Sequence, residues 1–130
     1  MMTEGGDWDK LGRAAIWRDE VPNCIHQNHV FRLRFEQSAI LPEWVVLFVN
    51  SPLGREYFSR AAKQTTNLAS INMTQLRSCP IPIPTYAEQR CIVAKVDALM
   101  ALCDALKARL ADAAQTECLL ADAITERAAA

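Results

Sequence analysis

From Thr85 to Arg127 the apolar residues recur every three or four positions. Ile92, Val96, Leu99, Cys103, Leu106, Leu110, Ala113, Leu120 and Ile124 form one seam, with Glu117 in the single polar slot. That period predicts one long amphipathic helix with a heptad stripe. Pro84 and Thr85-Tyr86-Ala87-Glu88 mark its start as a Thr-x-x-Glu capping box, and no Pro or Gly follows. At 1.5 Å per residue the helix would run roughly 60 Å. Val96, Cys103, Leu110, Glu117 and Ile124 take the a positions, and Ile92, Leu99, Leu106, Ala113 and Leu120 the d positions. Val93, Met100 and Leu102 widen the stripe as far as Leu106, which predicts packing against residues 1–84. From Lys107 onward the stripe narrows and is rich in alanine, which predicts a need for a partner helix. Glu117 at an a position disfavours simple parallel self-pairing, since it would stack on its own copy.

Upstream the pattern changes. Ala14–Trp17 reads as a short strand, and residues 19–23 as a turn. Phe31, Leu33 and Phe35 alternate with Arg32 and Arg34, so Cys24–Phe35 reads as extended with one apolar face. Pro42 opens a helix whose buried face is Trp44, Val45, Leu47 and Phe48. Ser51 and Pro52 stop it and cap a second helix, to about Lys63, with Leu53, Tyr57, Phe58, Ala61 and Ala62 inward. Gln64-Thr65-Thr66-Asn67 reads as a polar loop, and Ser70 as the cap of a brief turn through Leu76. Cys79–Pro84 alternates Pro with apolar residues, hence an edge strand or a polyproline-like segment. The sum is an α/β chain of the α+β kind: a small mixed domain over 1–84, then one coiled-coil-type helix over 85–130.

Composition adds little. The chain is 51 % hydrophobic and 22 % charged with a net charge of −1, ordinary for a globular domain and without a polybasic tail. The amino terminus is polar and no apolar run is long enough to span a membrane. The five cysteines lack Cys-x-x-Cys spacing and read as reduced thiols of a cytoplasmic protein.

Candidate chemistry lies in the polar stretches. Residues 4–13 are rich in glycine and charge, and Lys10 and Arg13 could contact a phosphate or a base edge. The spacing is not that of a P-loop. His26 and His29, three apart on an extended segment, point to opposite faces and make a poor metal chelate. Cys24 and His26 share a face, but nothing marks a third catalytic group. Gln27 and Asn28 carry the side chains that pair with adenine, and could equally be an amide network within a sheet. Arg32 could hold a phosphate or simply be solvated. Residues 55–77 are the most basic region, with Arg55, Arg60, Lys63 and Arg77 against Glu56.

Taken in order, several of these stretches resemble one family. Gln64-Thr-Thr-Asn-Leu-Ala-Ser-Ile-Asn-Met-Thr-Gln-Leu76, Pro80-Ile-Pro-Ile-Pro84 and Glu88-Gln89-x-x-Ile92 ahead of a long helix look like the end of a target recognition domain of the specificity (S) subunit of type I restriction–modification enzymes. The Glu4–Arg13 loop and Cys24-x-His-Gln-Asn-His29 also look like pieces of such a domain. The resemblance implies sequence-specific recognition of double-stranded DNA, with no catalytic site and no cofactor. It implies methyltransferase (M) and restriction (R) subunits as partners, and a long helix that joins recognition domains as a coiled coil, by self-association or with another S fragment. It further implies that the chain enters the recognition domain part-way, with Met1-Met2 at the end of an interior strand. The expected DNA-facing residues are Lys10, Arg13, Gln27, Asn28, Arg32, Lys63, Gln64, Thr65, Thr66 and Asn67. The alternative is an interaction module whose helix docks on S or M subunits without touching DNA.

Overall fold

The computed structural model describes residues 1–6, 10–35, 39–65 and 68–129, and their side chains except those of Gln64 and Thr65. In chain order the elements are β1 (Met2–Thr3), β2 (Gly5–Gly6), β3 (Val30–Phe31), α1 (Pro42–Asn50), α2 (Pro52–Ala61), β4 (Lys63–Thr65), β5 (Leu68–Ser70), α3 (Met73–Arg77) and α4 (Tyr86–Ala129). This is the mixed α+β chain with a long carboxyl-terminal helix that the pattern predicts. It divides into two compact units, Met1–Val93 and Ala94–Ala130.

The helices begin where local chemistry places them. Pro42 and Pro52 stand in the first turns of α1 and α2, where their missing N–H groups would have no helical partner. Ser51 caps α2: its side-chain oxygen accepts from the Gly54 N–H at 3.3 Å. Gly54 is buried where α2 turns back on α1. A Cβ there would sit 2.6 Å from the Val49 carbonyl oxygen, so only glycine permits this approach. Val45 and Val49, four apart on α1, are its fully buried pair, while Trp44, Leu47 and Phe48 are half-buried. Phe58 is the buried anchor of α2, with the Tyr57 ring edge-on at 5.1 Å. Leu53, expected inward, is instead exposed.

The strands are shorter than the alternation suggests. Only Val30–Phe31 of Cys24–Phe35 pairs as strand, in register Met2↔Phe31 and Thr3↔Val30. Over 31–35 the burial still alternates, with Phe31, Leu33 and Phe35 against the core and Arg32 and Arg34 exposed. Ala14–Trp17 contributes one bridge, Met2↔Ala14. The Asn50 side chain occupies the rest of that edge, accepting from the Ala14 N–H at 3.0 Å and donating to the Ala14 carbonyl at 2.9 Å. Gln64-Thr65 is not loop but β4, antiparallel to β5. Its polar composition conceals a strand fixed by pairing with residues three to seven positions on. Ser70 accordingly belongs to β5, and α3 is capped by Asn72. Asn72 Oδ1 accepts from the Gln75 N–H at 2.9 Å, and Gln75 Oε1 from the Asn72 N–H at 2.7 Å. The Gln75 amide also donates to the Ala61 carbonyl, and the Tyr57 hydroxyl donates to the Gln75 carbonyl at 2.8 Å, tying α3 to α2. Residues 79–84 form no strand; the Trp44 indole N–H donates to the Pro82 carbonyl at 2.9 Å. Met2, Leu11, Val45, Val49, Phe58, Ala69, Ile71 and Leu76 make the core.

The start of α4 carries two devices. The capping box is formed as predicted. The Thr85 N–H and hydroxyl both donate to Glu88 Oε2, at 2.9 and 2.7 Å, and the Glu88 N–H donates to Thr85 Oγ1 at 3.3 Å. The second device is Gln89, the one fully buried polar side chain among the described residues. Its oxygen accepts from the Leu41 N–H at 2.9 Å, and its amide nitrogen donates to the Ala39 and Pro84 carbonyls at 3.1 and 3.0 Å. Leu41 is the N-cap residue of α1 and has no side-chain cap of its own. Gln89 thus satisfies an orphan helix donor from a distant position. Beyond it, Val93 and Val96 are half-buried, whereas Ile92, Leu99, Met100, Leu102 and Leu106 are exposed. Within the first compact unit, which ends at Val93, the seam is exposed at Ile92 and half-buried at Val93. Leu110, Leu120 and Ile124 are exposed as well.

Two outcomes follow from this joint. Gln89→Met keeps the volume but strands the Leu41 N–H and two carbonyls, so it should lower unfolding stability by about 2 kcal/mol or more. A lower urea midpoint at unchanged slope reads this directly. Hydrogen bonds from the Thr85 hydroxyl and then the Thr85 N–H hold the Glu88 carboxyl below its usual value. A depressed folded-state pKa gives stability that is present above the unfolded value, near 4.5, and lost as pH falls through the folded one. Helicity should therefore fall on acidification below that range, and Glu88→Gln should flatten this part of a circular dichroism titration.

Candidate nucleic-acid interface

The candidate interface is organised around β2. Backbone bonds place Glu4, between β1 and β2, at a crossing of two sheets. Its N–H donates to the His29 carbonyl on one side, and its carbonyl accepts from the Ile71 N–H on the other, both at 2.9 Å. β2 then pairs with β5 in register Gly5↔Ser70 and Gly6↔Ala69, and β5 pairs with β4, Gln64↔Ala69 and Thr65↔Leu68. The sheet order is β2-β5-β4. Because both outer strands run antiparallel to β5, the chain leaves β2 and β4 at the same end of this sheet.

Two glycines make the arrangement possible. A Cβ on Gly5 would lie 2.6 Å from the Ala69 carbonyl oxygen, and Gly6 has φ of +140°, which side chains with a Cβ rarely adopt. The pair expected to form a ligand-contacting loop is thus a strand, kept side-chain-free by close approach of β5. Lys10 returns beside it. Its carbonyl accepts from the Thr3 hydroxyl at 2.8 Å, and its Cβ faces Gly6. Arg13 is exposed on the next segment, its N–H donating to Thr3 Oγ1 at 3.1 Å and its carbonyl accepting from the Thr3 N–H at 2.9 Å.

On the other flank of β2 stands a tight turn. The Val30 N–H donates to the Gln27 carbonyl at 3.1 Å, so Gln27 and Asn28 sit at a reversal leading into β3. The His29 ring nitrogen meets Glu4 Oε2 at 3.0 Å, fastening this turn to the start of β2. Both amide residues are exposed. The buried amide network considered from sequence is not formed here.

The expected site residues therefore separate. Gln27, Asn28, Lys10, Lys63, Gln64 and Thr65 belong to segments gathered on β2 and its neighbours. Arg32 is not among them: it follows β3 at the end away from the turn and lines a cleft of about 520 Å³ with Ala14, Trp17, His26, Arg34 and Val46. Thr66 and Asn67 lie outside the described residues. Five contributors were not singled out as site residues from sequence. Gly5 and Gly6 act through what they lack, Glu4 and His29 meet across 25 positions, and Ser70, exposed, stands between Gly5 and Lys63. Only the glycine pair carried a signal, since adjacent glycines mark close backbone approach as readily as a loop. Among the described residues no group of three His, Cys, Asp or Glu side chains could hold a metal ion. Burial pushes the Cys79 thiol up, away from the thiolate form. No described helix is long and apolar enough to cross a membrane.

With this geometry in hand, comparison with known proteins assigns the family. Residues 11–115 match the type I restriction modification DNA specificity domain, and the chain belongs to that family. Among curated relatives, the type I restriction enzyme EcoEI specificity subunit of Escherichia coli is 27 % identical over 130 residues, covering 98 % of this chain and 22 % of its own. The EcoKI specificity subunit of Escherichia coli K12 is 28 % identical over 91 residues, 70 % of this chain and 19 % of its own. The EcoBI specificity subunit, also of Escherichia coli, is 25 % identical over 103 residues, 79 % of this chain and 21 % of its own. The chain thus spans about a fifth of the length of the relatives it matches. No solved structure gives a significant match.

The β2 arrangement can be tested by one methyl group. Gly5→Ala forces β2 and β5 apart and should cost about 1–3 kcal/mol of unfolding stability. Amide exchange should speed at residues 69–71, whereas Ala→Gly at the exposed Ala123 position of α4 leaves those amides unchanged.

Proposed function

We propose that this chain is a non-catalytic DNA-reading segment of a type I restriction–modification specificity subunit. The observation that carries the reading is the grouping of three sequence-distant polar segments around the β2-β5-β4 sheet, in a chain of the DNA specificity domain family. Hairpin and turn ends rich in amide, hydroxyl and lysine side chains suit a duplex, because phosphate contacts position a protein and short polar groups reach base edges. Lys10, Arg13, Gln27, Asn28, Lys63, Gln64, Thr65, Thr66 and Asn67 are the residues proposed to face DNA, with Arg32 a more distant phosphate contact. M and R subunits are the proposed partners and supply the chemistry. The exposed seam of α4 is proposed to pair with another S-subunit helix, in a second copy or another fragment.

One observation favours a second reading. Leu99, Leu106, Leu110, Leu120 and Ile124 lie exposed along one helix, a surface that suits docking on S or M subunits without any DNA contact.

The two readings differ in what mutations do. Assembled with M subunits, the chain should prefer duplexes carrying a short defined half-site, and its affinity should fall steeply as salt rises. Lys10→Ala should lessen that salt dependence by about one unit of slope. Replacing Leu99 and Leu106 with polar residues should abolish association while leaving the 1–93 unit folded. Full loss of activity from the helix variants, with no effect of Lys10→Ala and no duplex preference, would favour the docking reading and sink the first.

A further inference from the structure

Four of the eight amide side chains among the described residues are consumed by the fold. Asn50 replaces a strand edge at Ala14, Asn72 and Gln75 cap α3, and Gln89 bolts the start of α4. Asn23 and Gln115 are left over singly, Gln27 and Asn28 as an adjacent pair. This pair stands at the tip of a turn, is exposed, and among the described residues neither side-chain amide has a hydrogen-bond partner. Their backbone is nonetheless fixed. The Gln27 carbonyl closes the turn with the Val30 N–H, the His29 carbonyl holds the Glu4 N–H, and the His29 ring meets Glu4 Oε2. Unused hydrogen-bonding groups on a pinned backbone are what a recognition contact requires, since little ordering remains to be done on binding.

We infer that Gln27 and Asn28 read an A·T base pair in the major groove, an inference that rests on the DNA-reading proposal above. A carboxamide offers one donor and one acceptor side by side. Adenine presents the complementary pair on its major-groove edge, N7 as acceptor and the N6 amino group as donor. Guanine presents two acceptors there, N7 and O6, and so leaves the amide oxygen unpaired. The major groove also admits a two-stranded ribbon, and the β4–β5 hairpin lies across β2 from this turn. Lys10, beside Gly6, supplies a cation of the kind that holds phosphate. The roles therefore divide: the turn amides specify and the lysine positions.

The test selects preferred duplexes from a randomised pool with the chain assembled with M subunits, then repeats the selection with Gln27→Ala, Asn28→Ala and Lys10→Ala. The wild-type consensus should contain an A·T pair. At least one amide variant should lose discrimination at that pair by about 10- to 100-fold while keeping the rest of the consensus. Lys10→Ala should weaken all sequences alike. Thermal unfolding curves matching wild type would show the turn variants to be folded, as exposed side chains without partners predict. The inference is overturned if both amide variants retain the whole consensus, weaken all duplexes equally, or relax only a G·C position. Absence of any wild-type consensus would sink the DNA-reading proposal itself, an outcome distinct from an unchanged consensus in the variants.

Discussion

The buried amide of Gln89 is the interaction on which the joint between sheet, helices and arm depends. Three segments meet at it: residues 39–41 entering α1, Pro84 ending the proline-rich segment, and the first turn of α4. Leu41, Ala39 and Pro84 would otherwise leave three part-buried backbone groups unsatisfied, and a buried unpaired group costs more than a formed bond returns. A buried glutamine is therefore specific in a way an apolar residue could not be. It holds only when all three partners are in place, and it ties formation of the long helix to a formed domain. The capping box one residue earlier is local and would form in an isolated helix. Gln89 makes the same turn answerable to tertiary structure.

What was legible in the sequence was local. Pro42, Ser51-Pro52 and Thr85-x-x-Glu88 announce helix starts through chemistry within one turn, and the helices begin there. Periodicity likewise gave the extent of α4 and the alternating burial of Phe31, Leu33 and Phe35. The rest is non-local. Gly5-Gly6 has the composition of a loop, yet pairs with β5 as a strand, and the Ala69 carbonyl leaves no space for a Cβ at Gly5. Gln64-Thr65 also looks like loop and is held by β5. Leu53 has the right spacing for burial, four before the half-buried Tyr57, yet is exposed. The role of Gln89 was invisible for the same reason, since its partners lie 5 to 50 positions away.

The proposed site shows the same division. Its residue types were readable as hydrogen-bonding and basic, but their grouping came from register. Antiparallel pairing of β2 and β4 on opposite sides of β5 puts two loop ends at the same end of the sheet, and the Glu4–His29 contact fastens a third segment at the start of β2. Arg32, next to the apolar Phe31 and equally suggestive in sequence, falls on the cleft side instead. A rigid strand lacking side chains at the centre, flanked by exposed polar ends, separates the task of holding geometry from that of contacting a ligand.

The central claim is that these segments form one DNA-facing surface. Hydrogen–deuterium exchange of the assembled chain, with and without its selected duplex, tests it most directly. Protection should appear together at residues 10–13, 27–30 and 63–70, and be absent from 107–127. Protection confined to α4, or none at any of the three segments with DNA bound, would contradict the account.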